Sequence, residues 1–144
     1  GLIFSKKYKI KKKIFKFLNN RNDEKIIIRY LKKKNIKLIC LAGFMKILSK
    51  NFIQNFKGII LNIHPSLLPK YKGLNTHFRA IQNREKFSGC TVHIVTSKLD
   101  SGKIVLQKKI KIYKKDTPVS LAKRILVQEH LLYPKAITKL ITNP

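Results

Sequence analysis

The chain has 144 residues, enough for one domain and too few for a second of ordinary size. Hydrophobic residues make up 44% and charged residues 27%, so a core can form and disorder by composition is excluded. Residues 58–69 are the longest uncharged stretch; Asn62, His64 and Pro65 interrupt it, and it falls well short of the ~20 apolar residues of a spanning helix, so no membrane span is expected.

Thirty-three basic residues stand against six acidic ones, a formal charge of +27 that would ordinarily point to nucleic acid. The basic residues are 28 Lys and only 5 Arg, however, and Ile (21) and Asn (10) are abundant too. All are residues of A/T-rich codons, so a biased composition is the simpler cause. Recognition of base edges and phosphates favours the bidentate guanidinium, which this chain largely lacks. The charge is therefore read as a solvated lysine face, with nucleic-acid contact limited to non-specific attraction. With so few carboxylates, Asp100 and Glu129 become informative. Cys40 and Cys90 each sit beside apolar neighbours and read as reduced, buried thiols. No secretory pattern opens the chain, so a cytoplasmic location is expected.

The lysine-rich segment at 6–18 fits a strand or a helix, and residues 23–34 place apolar pairs at helical spacing. Residues 36–42 form a short β-branched apolar run ending at Gly43, the pattern of a strand buried on both faces. Ser49 is a good N-cap for a short helix carrying Phe52, Ile53 and Phe56, and Gly58 stops it before a second strand at 59–63. Strand, helix, strand predicts a βαβ unit. A proline-bearing loop at 64–73 follows at the strand's C-terminal end, where sites in open α/β sheets lie. Asn75 or Thr76 can cap a helix through Gln82. Two strands, around 91–95 and 104–106, then bracket a turn at 97–102, predicting a hairpin.

Asp116, Thr117 and Pro118 supply an N-cap and a first-turn proline for a long helix that Pro134 should kink or break. Its expected buried stripe is Ala122, Leu126, Glu129, Tyr133 and Ile137. The expected architecture is thus a single α/β domain over 1–144, a doubly wound and mostly parallel sheet with an antiparallel hairpin and a long C-terminal helix.

Asn62 and His64, two apart at the end of an apolar strand, point to one side of the sheet and can converge on one ligand. An amide N–H can donate to a developing oxyanion while an imidazole exchanges a proton near neutral pH, a pairing suited to acyl chemistry. Asp100, otherwise a turn residue, could orient that imidazole. A carboxylate on an apolar stripe, Glu129, calls for a partner or a bound amine. His93 reads as a packed strand histidine, and His77 and His130 as helix-surface residues. No Cys/His spacing suits a metal and no serine sits in a nucleophile elbow, so no metal is expected.

The motifs carry more. LAGFMKIL at 41–48, LNIHPSLLPKYKGLNTH at 61–77, GCTVHIVT at 89–96, LDSG at 99–102 and QEH at 128–130 closely resemble the phosphoribosylglycinamide formyltransferases, from about residue 36 to 134. The resemblance implies transfer of a formyl group from 10-formyltetrahydrofolate to the amine of glycinamide ribonucleotide, in purine biosynthesis. It further implies Asn62, His64 and Asp100 as the catalytic trio, with Met45, Lys46, Ile47, Leu48, Val95 and Leu99 lining the folate pocket and Glu129 holding the substrate amine. Lys46 stands where the family usually has Arg, and Asn75 where it commonly has His.

Family members begin with a strand and a Gly/Ser-rich loop that holds the ribose phosphate, and the sequence is read as lacking both. Methionyl-tRNA formyltransferase shares the loop at 62–69 but typically continues differently, and formyltetrahydrofolate deformylase typically differs around His64. The alternative from another class, a lysine-rich nucleic-acid-binding protein, predicts affinity that falls steeply with salt and ignores His64.

Overall fold

The computed structural model describes residues 2–15 and 21–142. Helix α1 (Leu2–Lys7) is short and exposed, and residues 10–15 carry no regular structure; residues 16–18 of the lysine-rich segment lie outside the described residues. Helix α2 (Arg21–Lys33) leads into β1 (Leu38–Leu41), α3 (Lys50–Asn55) and β2 (Ile59–His64). Strands β1 and β2 pair in parallel, so the expected βαβ unit is present. Ser49 caps α3 as its residue type predicts, its Oγ accepting from Phe52 N at 3.0 Å. Buried Glu24 on α2 accepts from Ser49 N (3.0 Å) and from the Ser49 hydroxyl, tying the two helices together.

Helix α4 (Thr76–Gln82) follows the proline-bearing loop, and then β3 (Phe87–Ile94) and β4 (Ile104–Lys111) form the antiparallel hairpin. The sheet runs β1-β2-β3-β4, with β2 and β3 also antiparallel. The α/β architecture, the hairpin and the long last helix are as expected, and the balance of this four-stranded sheet is mixed, with one parallel and two antiparallel pairings. Asn75 precedes α4 in the left-handed region (φ 57°) and makes no side-chain capping bond, while the Thr76 hydroxyl is buried without a hydrogen-bond partner among the described residues.

Consecutive residues of β2 face opposite layers. Ile60 packs with Ile28, Phe52 and Phe56 beneath α2 and α3, whereas Leu61 joins Cys90, Val92, Leu121, Ile125, Leu132 and Ala136 beneath α5 (Pro118–Thr142). Helices therefore cover both faces. Thr117 caps α5 through Oγ1, which accepts from Ser120 N at 3.2 Å, with Pro118 in the first turn.

Three expectations are corrected here. Pro134 does not break α5, which runs unbroken for 25 residues, and Pro134 and His130, whose carbonyl loses its usual donor, are both exposed residues. The buried stripe is Leu121, Ile125, Leu132 and Ala136, and the expected stripe flanks it, with Leu126 exposed and Glu129 half-buried. Cys90 is fully buried, its thiol pushed up to about 12 by burial first, but Cys40 is exposed. It lies on β1, an edge strand whose LICL sequence carries no lysine, unlike the opposite edge β4, with Lys108, Lys109 and Lys111.

Candidate active site

Asn62 and His64 continue the face of β2 that begins under α2 and α3 with Ile60, toward the strand's C-terminal end. The antiparallel register sets Asn62 directly opposite His93 and His64 opposite Thr91. A register shift at Val92/His93 interrupts the β3–β4 ladder beside this point, a common device for aiming a side chain near a site. Asp100 arrives from the hairpin turn in the left-handed region (φ 44°), which aspartate tolerates better than most residues.

The four side chains meet. Asp100 Oδ2 lies 3.4 Å from His64 Nδ1 and accepts from Gly73 N at 2.9 Å, while Oδ1 lies 3.5 Å from His93 Nε2. Gly73 has φ 76°, the conformation glycine supplies at no steric cost, and this turns its N–H toward the carboxylate. His64 Nε2 donates to the Tyr71 carbonyl at 2.8 Å. Both of its ring nitrogens thus face oxygen acceptors, and only the imidazolium donates to both.

His93 differs. Burial, above all, pushes it below its ordinary 6.5, which favours the neutral ring. Its Nδ1 then donates to the Ile94 carbonyl (3.1 Å), leaving the Nε2 lone pair to accept from Asn62 Nδ2 at 3.5 Å. One amide proton of Asn62 is thereby occupied and the other is left for a ligand. The cluster offers an amide donor, an imidazole and a carboxylate to hold it, a set able to stabilise charge developing on a carbonyl oxygen.

A formyl transferase family model matches residues 3–137 of the chain. The chain belongs to the formyl transferase family. The match begins well before residue 36, so the likeness takes in the basic N-terminal segment as well. Among curated relatives, the phosphoribosylglycinamide formyltransferase of Haemophilus influenzae is 45% identical over 140 residues, covering 95% of this chain and 66% of that protein. The trifunctional purine biosynthetic protein adenosine-3 of Chironomus tentans is 50% identical over 105 residues, 73% of this chain and 8% of that much longer one. Among solved structures, the phosphoribosylglycinamide formyltransferase of Anaplasma phagocytophilum superposes with a TM-score of 0.90 at 38% identity, covering 99% of this chain and 69% of its own. The chain thus spans about two thirds of the bacterial relatives and a small part of the trifunctional ones.

In this formyl transferase chain the six residues expected beside the folate divide into two groups. Leu48 and Val95 pack onto the Ile60 cluster. Met45 (79% exposed), Ile47 (74%) and Leu99 (54%) present apolar side chains to solvent, and Lys46 is exposed beside them.

Glu129 comes to the neighbourhood of the trio from α5: burial acts first on its carboxyl, and the charges of His130 and His64 act against it. With Pro65, His77, Pro118, Ala122 and Leu126 it lines a cavity of about 490 Å³, and burial pushes its carboxyl above the ordinary 4.5. It makes no hydrogen bond among the described residues.

His77 is not the surface residue its helix suggested. It is half-buried, its Nε2 is enclosed without a partner among the described residues, and burial followed by the neighbouring His64 pushes it below 6.5. His93 was missed as well. Its apolar strand context hid it, and its contact with Asn62 comes from the β2–β3 pairing, which joins residues 31 apart. Among the described residues no group of three or more His, Cys, Asp or Glu could hold a metal, and no helix is long and apolar enough to cross a membrane.

Proposed function

We propose that this chain carries the formyl-transfer chemistry of a phosphoribosylglycinamide formyltransferase, moving the formyl group of 10-formyltetrahydrofolate to the glycine amine of glycinamide ribonucleotide. The observation that carries this reading is the convergence of Asn62, His64 and Asp100, from two separate strand ends, in a chain with relatives of that name.

The amine nitrogen attacks the formyl carbon and the carbonyl oxygen takes up negative charge. The free Asn62 amide proton donates to that oxygen, and the charge of the His64 imidazolium, whose two N–H groups are held by Asp100 and the Tyr71 carbonyl, stabilises it from beside. The new C–N bond persists, the bond to folate N10 breaks, and the proton lost by the amine reaches N10 through water. No covalent enzyme intermediate is needed. Met45, Ile47 and Leu99 offer apolar surface to the flat pterin, with Leu48 and Val95 behind them. Glu129, in its cavity, accepts from the substrate amine; a cation there relieves the cost of an unpartnered, half-buried carboxylate.

The same reading gives the bare β1 edge a role. An apolar edge strand without lysines is normally covered, so a further strand pairs there and brings a glycine-rich loop for the ribose phosphate. Both substrates are small, soluble molecules, consistent with a cytoplasmic enzyme.

The test is formyl transfer from a 10-formylfolate donor to glycinamide ribonucleotide, measured for this chain and for a form extended by the N-terminal segment of the Haemophilus influenzae relative, each with and without His64→Ala. Transfer in the extended form that His64→Ala abolishes is the expected result. A folded extended protein with no transfer, or transfer indifferent to His64, overturns the reading.

A further inference from the structure

The proton on His64 Nε2 goes to a main-chain carbonyl, and any residue could supply one. Three features nevertheless single out the side chain of Tyr71. Its backbone sits at φ 54°, where a bulky aromatic residue is rare and strained. Its hydroxyl donates to Glu85 Oε1 at 2.9 Å and accepts from Asn83 Nδ2 at 3.0 Å, and Glu85 is itself held by Lys70 Nζ at 2.8 Å. Arg79 lies over its ring, 5.2 Å from the centroid, and donates to the neighbouring carbonyls of Lys72 (2.7 Å) and Leu74 (3.3 Å). A backbone state that tyrosine disfavours is thus fixed from outside, by residues of α4 and the turn that follows it.

We propose that Tyr71 is a positioning residue for His64, its anchored ring and hydroxyl holding the strained main chain so that the Tyr71 carbonyl meets His64 Nε2. Asp100 restrains the other nitrogen, so the imidazole is fixed at both ends of the ring. Rotation about its last torsion, which alone would be broad, becomes confined. The restraint reaches the site from the far side of the loop, and neither Glu85 nor Asn83 touches the cluster. Residues 66–70 are fastened independently: Thr91 Oγ1 donates to the Ser66 carbonyl (2.6 Å), and Ser66 Oγ to that of Lys70 (2.6 Å). Loss of the tyrosine anchor therefore loosens residue 71, between a fastened 66–70 and the Lys72 and Leu74 carbonyls that Arg79 still holds. The consequence for turnover rests on the reading of His64 given above; the structural claim does not.

Two variants of the full chain separate positioning from mere folding. Tyr71→Phe removes only the hydroxyl, and Tyr71→Gly removes both the ring and hydroxyl anchors while relieving the strain, since glycine accepts this φ. The first readout is the His64 Nε2–H proton by NMR, which reports the bond to the carbonyl without requiring turnover. In the parent chain it exchanges slowly. In both variants its exchange accelerates, by about fivefold or more for the loss of one hydrogen bond of ordinary strength, while the thermal transition stays cooperative.

The second readout is kinetic. kcat falls by a similar factor in each variant and KM for both substrates holds, because the bond is used to align the His64 ring and not to bind substrate. An unchanged His64 proton signal in Tyr71→Phe and Tyr71→Gly overturns the proposal. Absence of formyl transfer in every form, parent included, refutes the functional reading instead, and the NMR comparison still decides the role of Tyr71.

Discussion

The two regions assigned to the reaction are built to different degrees. Around Asp100, each carboxylate oxygen and each histidine nitrogen has a neighbour within 3.5 Å, and His64 and His93 are 6% and 2% exposed. At Met45, Ile47 and Leu99 apolar side chains stand in solvent, while Leu48 and Val95 pack onto the Ile60 cluster. The contrast has a physical origin. Groups that stabilise a transition state must be oriented before the substrate arrives, since reorganising them during the reaction raises the barrier. A co-substrate with broad ring faces can pack those faces on exposed apolar surface, and their burial contributes to the driving force.

The largest effect that can break this comparison belongs to the preorganised side. Asp100→Ala frees His64 and the Gly73 N–H together, and transfer should fall about 10³-fold, the scale seen when an oriented group is lost. Initial rates at saturating substrate check it; a loss below tenfold means that the carboxylate does not organise the site. His93→Gln should cost less, about tenfold to a hundredfold, because Asn62 keeps its side chain and loses only the group that orients it. Its signature is a fall in kcat with little change in KM for either substrate. A rise in KM alone would make His93 a binding residue and the cluster a smaller unit than its geometry suggests.

The donor side should respond in the opposite currency. Met45→Ser and Ile47→Ser change stability by no more than about 0.5 kcal/mol, as expected for exposed positions, yet raise KM for the folate donor. Leu48→Ala and Val95→Ala cost about 1–2 kcal/mol of stability, from the half-buried apolar area each removes. Chemical denaturation and KM measured on all four variants sharpen the division; equal stability losses at Met45 and Leu48 would erase it.

Most of the fold and part of the site were legible in the sequence, and the boundary follows the range of the interactions. Ser49, Thr117 and Pro118 act within one helical turn, so their residue types sufficed. The pairing of Asn62 with His64 needed only the two-residue period of a strand. His93 required the antiparallel register of β2 and β3, a long-range fact that no local pattern contains. The α5 stripe was misplaced because Ala122, Leu126, Glu129, Tyr133 and Ile137 and the true core set share the same spacing, and which set faces the sheet depends on how the helix is rotated about its axis. Cys40 sits in an apolar run, and its exposure is decided by its place on an edge strand. Glu24 escaped notice because its partner, Ser49, lies 25 residues away. The roles proposed for Glu129 and the donor-side residues rest, by contrast, on motif resemblance alone.

The smallest predicted effect distinguishes the same regions by pH. Burial pushes both His93 and His77 below 6.5, so between those lowered values and 6.5 the unfolded chain binds protons that the folded chain refuses. Stability therefore rises with pH across that window and declines as the solution is acidified below about 6.5. Glu129 acts with the opposite sign, because burial raises its carboxyl above 4.5 and the folded chain holds that proton longer than the unfolded one does. Denaturant midpoints between pH 5 and 7 should thus fall on acidification in the parent chain, fall less in His93→Gln, and fall more in Glu129→Gln, which removes the opposing contribution. No donor-side residue enters this balance, so Met45→Ser should leave the pH slope at its parental value. A slope altered by Met45→Ser but not by His93→Gln would mean that protonation of the exposed surface, and not of the enclosed imidazoles, governs acid stability.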